Sequence, residues 1–169
     1  MNRLALSALV ATAFAALSAA PASAQTTTLH DAAHDVLSQP ADSSGVPKDA
    51  APRRREGDAL SLRVTHGPHR LRLVLRFARL TKTEGPAAQV LAVRTNTGKR
   101  AELVLFTTKA SGSVQRSWQV NVHERRCPGL RSRVEYRKAI VRAAIPRRCL
   151  GNPSWVRAGG GNGTLARSP

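Results

Sequence analysis

The chain predicts an all-β fold, an antiparallel β-sandwich of about seven or eight short strands stapled by one disulfide. Three observations carry that expectation. Apolar residues recur every second position through most of the chain after residue 59, which is strand patterning. Turn-forming residues separate these runs at short intervals, as in sandwiches and barrels. Only two cysteines occur, Cys127 and Cys149, and in an oxidising compartment a lone pair has one intrachain partner assignment. The bridge closes a loop of about 23 residues, worth roughly 3 kcal/mol in the chain-entropy model. The rival reading, a reactive thiol with His123 four residues before Cys127, fits an exported chain less well. Helix signals are nearly absent; residues 30–37 supply one turn at most.

Taken in order, residues 1–24 read as a secretory signal peptide. Arg3 gives a basic start, Leu4 to Ala20 carries no charge, and Ala22-Ser23-Ala24 is a small-x-small cleavage signal. Gln25 is then the expected mature N-terminus, and the product is secreted and extracellular. Cleavage leaves about 145 residues, enough for one domain with a real core. No later apolar run approaches the ~18 residues of a transmembrane helix. Residues 25–56 are polar, with Ser, Pro, Asp and Gly between Gln39 and Pro47 and then Arg53-Arg54-Arg55. They read as an extended, partly flexible lead-in.

The sandwich domain is expected at residues 57–158. Leu60, Leu62 and Val64 alternate with polar residues, and Leu71, Leu73, Leu75 and Phe77 do the same after His66-Gly67-Pro68-His69. Pairing them as a hairpin sets Val64 against Leu71, Leu62 against Leu73 and Leu60 against Leu75. Inward residues then meet inward residues, and Arg63 stands opposite Arg72, an unfavourable like-charge pair unless an anion intervenes. Further strands are expected at 89–95, 101–107, 114–122, 133–136, 139–145 and 155–158. Trp155 should pack beside the disulfide. Gly159-Gly160-Gly161-Asn162-Gly163 opens a flexible tail, 159–169. The sequon Asn162-Gly163-Thr164 reads as chance.

The formal net charge is +17, from 27 Lys and Arg against 10 Asp and Glu. Its distribution is uneven. Six acids precede residue 59, and only Glu84, Glu102, Glu124 and Glu135 follow. A polyanion partner, such as anionic cell-wall polymer or polysaccharide, is the sharp reading. The plain one is compositional: Arg greatly exceeds Lys and Ala is abundant, as in GC-rich coding sequence. Within the expected hairpin, Arg63, Arg70, Arg72 and Arg76 are the anion-binding candidates. Exposed aromatics for stacking are too scarce to indicate a specific nucleic acid.

No catalytic signature is present: no G-x-S-x-G, no H-E-x-x-H and no phosphate loop. No cofactor is expected. His30, Asp31, His34 and Asp35 form the one metal-like cluster, with spacing that would stack the pairs on a helix; they are weak candidates, and no metal site is assigned. A non-catalytic binding module is therefore the favoured expectation. A secreted hydrolase with an unmarked active site and a protein-interaction or inhibitor module are the alternatives.

Several segments together resemble a largely uncharacterised group of small exported actinobacterial proteins. They are Asp31 to Val36, Gly57-Asp58, Val64 to Gly67, and Ile145-Pro146-Arg147-Arg148-Cys149-Leu150-Gly151-Asn152-Pro153-Ser154-Trp155-Val156-Arg157. The resemblance would cover residues 31–158 and is most specific around Cys149. The early Asp pair also resembles the openings of sandwich domains related to carbohydrate- and haem-binding modules, with His34 where Gly would be expected. The resemblance implies export and a β-sandwich, and no reaction.

Overall fold

Leu71, Leu73, Leu75 and Phe77 leave one strand on the same side, and all four are buried. Period-two patterning of this kind gives each sheet one apolar face, and two such faces exclude water by packing together. The computed structural model describes residues 24–31, 37–38, 49–50, 56–82, 87–107 and 114–164. In chain order the strands are β1 (Gln25–His30), β2 (Leu37–Ser38), β3 (Asp49–Ala50), β4 (Ala59–His66), β5 (Arg70–Phe77), β6 (Ala87–Thr95), β7 (Arg100–Thr107), β8 (Val114–Val120), β9 (His123–Glu124), β10 (Arg131–Glu135), β11 (Ile140–Pro146) and β12 (Val156–Thr164). Two five-stranded antiparallel sheets result, ordered β1-β4-β5-β11-β10 and β12-β6-β7-β8-β9. β2 and β3 pair separately. The fold is the all-β antiparallel sandwich that the patterning predicts.

Leu62, Val64, Leu71, Leu73, Leu75, Val141 and Ile145 from the first sheet meet Leu91, Val93, Leu103, Leu105 and Trp118 from the second. Between β6 and β7 the chain turns at Gly98, whose φ of +76° costs a residue without Cβ nothing. The disulfide Cys127–Cys149 is formed. It ties the 125–130 crossover, which closes one flank of the sandwich, to the short 3-10 turn Arg147–Leu150. Three guanidinium groups hold the same crossover. Arg148 donates to the Pro128 carbonyl at 2.8 Å, Arg70 to that of Gly129 at 2.9 Å, and Arg116 to that of Leu130 at 3.3 Å.

The β4–β5 hairpin forms with a register two residues from the expected one. His66 pairs Leu71, Val64 pairs Leu73 and Leu62 pairs Leu75, with a bulge between Ala59 and Ser61. The Gly67 N–H donates to the Arg70 carbonyl at 3.0 Å, so the turn is tightened to Pro68-His69. A two-residue slip keeps every side chain on its face, so matching apolar residues did not distinguish the registers. One consequence is a correction: Arg63 stands opposite Val74, and Arg72 opposite Thr65.

The expected boundaries also change at both ends. Gln25–His30, placed in the lead-in, is an edge strand paired to β4 from Gln25↔His66 to His30↔Ser61. The glycine-rich stretch expected as flexible tail is β12 through Thr164, paired to β6. β1 and β9 bring the two sheets above the expected strand count. Trp155 does not pack beside the disulfide. It is 49% exposed with the Arg157 guanidinium 5.6 Å from its ring centre. Leu150, fully buried next to Cys149, fills the core there instead.

Candidate functional site

Register decides which outward residues become neighbours. Three rows cross the outer face of the first sheet from β1 to β10. One is Thr28, Arg63, Val74, Arg142, Arg133. The next is Thr26, Thr65, Arg72, Ala144, Arg131. The third is His30, Ser61, Arg76, Ile140, Glu135. Neighbours within a row sit about 4.8 Å apart along the hydrogen-bonding direction. The face therefore grades from mostly hydroxyl groups on β1 and β4, with Arg63 among them, to guanidinium groups on β5, β11 and β10.

At the basic end lies a depression of about 240 Å³. Val74 and Ala144 contribute to its floor, and Arg72, Arg131, Arg133 and Arg142 line it. Glu135 is its neighbouring carboxylate. The Arg142 Nε donates to Glu135 Oε1 at 2.8 Å, and Lys138 Nζ stands 3.6 Å from Oε2. The Arg142 hydrogen bond holds the Glu135 carboxyl below its ordinary pKa, with nearby positive charge adding to the effect. Among the described residues no acid pairs with Arg72, Arg131 or Arg133. Such a surface offers planar donors to carboxylate, sulfate or phosphate oxygens.

The four hairpin arginines therefore separate. Arg72 lines the depression, Arg63 lies in the row of Val74 but outside its lining, Arg76 lies in the next row, and Arg70 is committed to the Gly129 carbonyl. Sequence reasoning missed Arg131, Arg133 and Arg142. The signal was present in the alternation Arg131-Ser132-Arg133-Val134-Glu135, but the face shared with β5 depends on β11 lying between them.

The outer face of the second sheet differs. Its central rows are Gly161, Val90, Val104, Ser117 and Gly159, Ala92, Glu102, Gln119, with Arg157, Arg94 and Arg100 at one end. Of the metal-like cluster, His30 ends β1 on the first sheet's outer face, Asp31 follows it, and His34 and Asp35 lie outside the described residues. Among the described residues, no three His, Cys, Asp or Glu side chains group as metal ligands would, and no helix is long and apolar enough to cross a membrane. At the hairpin end His66 carries a shielded Nε2 with no partner. Burial, and then the charge of Arg147, lower its pKa.

No family model, curated protein or solved structure matches this chain.

Proposed function

We propose that this chain is a secreted, non-catalytic binding module for an anionic polymer, such as wall polymer or acidic polysaccharide, engaged by the outer face of the β1-containing sheet. The observation that carries this reading is the depression lined by Arg72, Arg131, Arg133 and Arg142. The contrast between faces supports it. A purely compositional excess of Arg would load both outer faces alike, whereas the central rows of the second sheet carry none. Charge-assisted contacts to an anion would also relieve the opposition of Arg133 and Arg142 across β10 and β11.

The test is retention on immobilised heparin and teichoic acid across a salt gradient. Arg131→Ser/Arg133→Ser should elute earlier than the parent, and the salt dependence of affinity should fall by about one to two charges' worth of counterion release. Arg94→Ser/Arg100→Ser removes the same charge from the opposite face and should shift elution much less. Equal shifts for the two double variants would refute the reading and leave only non-specific attraction.

A further inference from the structure

The two flanks of the sandwich are built differently. On one, the crossover 125–130 and its disulfide join β9 to β10. On the other, the first sheet ends in β1 and the second in β12, and nothing among the described residues joins them. β12 packs across from β4, so β1 overhangs by one strand. All six β1 residues are exposed, on both faces. Leu29, directed toward the inner side, is 47% exposed.

Below that overhang lie two adjacent hollows of about 390 and 200 Å³, both lined by Leu29, which together we call the cleft. Gln25, Thr27 and Leu29 form its roof, and Trp155, Arg157 and Ala158 its far wall. It continues to Gly159 and Gly160. Its floor edge is β12, nine residues long and without a paired strand on that side among the described residues. Exposed edges are ordinarily blunted by Pro, Lys or a bulge. β12 has no Pro or Lys, and a Cβ built on Gly159, Gly161 or Gly163 would meet nothing within 4 Å. The glycines therefore put no side chain in the way of a strand at this edge.

We propose that this cleft takes up an extended acidic peptide segment of a partner protein, which adds as a strand to β12 beneath β1. Strand addition supplies main-chain hydrogen bonds, with alternate side chains setting specificity. Apolar side chains on the inner face of the added strand would cover Leu29 and Thr27. Carboxylates on its outer face would lie beside Arg157, which heads the row Arg157, Arg94, Arg100. A second copy of this chain does not fit. Pairing β12 with its counterpart would bring the other copy's β4, which lies across from its own β12, into the space of β1.

The probe is a nine-residue peptide alternating valine and glutamate, matched to the length of β12. Hydrogen exchange of the β12 amides should slow about ten-fold or more on saturation. The same peptide with alternate backbone nitrogens methylated should give no protection. Leu29→Glu, a change at an exposed position, should weaken binding roughly ten-fold or more by removing apolar burial and adding like charge. That variant should keep the parent's polyanion retention, and Arg131→Ser/Arg133→Ser should keep the parent's peptide binding, so the two sites fail separately. The proposal is overturned if β12 exchange is unchanged by the peptide, if the methylated peptide protects equally, or if Leu29→Glu binds as the parent does. It is also overturned if heparin gives the same β12 protection, or if β12 is already protected through concentration-dependent dimerisation.

Discussion

Gly160→Ala tests the element that the sequence marks least, the glycine-rich strand β12. In the observed register Gly160 stands opposite Leu91 of β6 and faces the core. A Cβ there would lie 2.9 Å from Leu75 Cδ2, 3.0 Å from Leu91 Cδ2 and 3.0 Å from the Val90 carbonyl oxygen. Both leucines are buried, so moving either disturbs its neighbours, and the carbonyl belongs to the adjacent strand. Overpacking of this kind costs typically 1–3 kcal/mol. Against it stands the intrinsic gain of Ala over Gly in a strand, about 0.5–1 kcal/mol. Gly161 opens to the other side and a Cβ there meets nothing within 4 Å, so Gly161→Ala keeps the gain without the clash. The intrinsic gain cancels between the two variants, and their difference isolates the steric cost of about 1–3 kcal/mol. In urea unfolding, with a slope of ~1–3 kcal/mol per molar, the midpoint of Gly160→Ala should lie roughly 0.5 M or more below that of Gly161→Ala. Equal midpoints, or the reverse order, would refute this packing and imply that β12 presents its other face to the core.

Replacing Cys127 and Cys149 together by Ala should cost roughly 2–5 kcal/mol, read from denaturation with and without reductant; an unchanged midpoint would show that the Arg70, Arg116 and Arg148 contacts suffice to hold the crossover. NMR titration should place the Glu135 carboxyl below the ordinary glutamate value, and Arg142→Gln should raise it. Because the folded pKa is the lower one, the associated stability is present above about pH 4.3 and is lost as pH falls through the folded value. The His66 imidazole should likewise titrate below the ordinary histidine value. Its unfolded form takes up a proton first, so this contribution is complete above about pH 6.5 and declines as pH falls; a midpoint above that value would contradict the burial and Arg147 arguments. Mass spectrometry of released protein should find Gln25 at the N-terminus, and an intact Met1 would defeat the secretion argument.

The parts of the fold legible in the sequence were those where alternation is strong. β5, with Leu71, Leu73, Leu75 and Phe77 in step, is the clearest case, and β4 follows from the same signal; β6 is legible as a β-rich run apolar on both faces, and β7, β8, β10 and β11 as strand-like runs between turns. β1 was hidden because its residues are exposed on both faces, so Gln-Thr-Thr-Thr carries no apolar period. β12 was hidden for a different reason. Gly160 is demanded by the closeness of Leu75 and Leu91, a constraint that exists only after the sheets have met. Composition alone reads Gly159 to Gly163 as a loop. The basic site was half legible. Outward alternation marked Arg72, but Arg131 and Arg133 joined it only through β11, which lies between β5 and β10 in space and after β10 in the chain.

That topology bears on how the positive charge should be understood. A solvated face needs polar residues, and β1 and β4 meet the need largely with Thr26, Thr28, Ser61 and Thr65, with Arg63 the one arginine of these two strands. The same requirement on β5, β11 and β10 is met with Arg72, Arg142, Arg131 and Arg133, which repel one another and carry larger side-chain entropy losses when ordered. The segments are far apart in sequence, so no single run of basic codons accounts for their meeting. Among the described residues one acid of this face, Glu135, offsets these charges, through its hydrogen bond with Arg142 and more weakly toward Arg133. Hydroxyl side chains would solvate the face as well and leave the core pattern untouched. Guanidinium groups from three strands thus converge around Val74 and Ala144 on this face, and the anionic ligand proposed above would turn their mutual repulsion into binding energy.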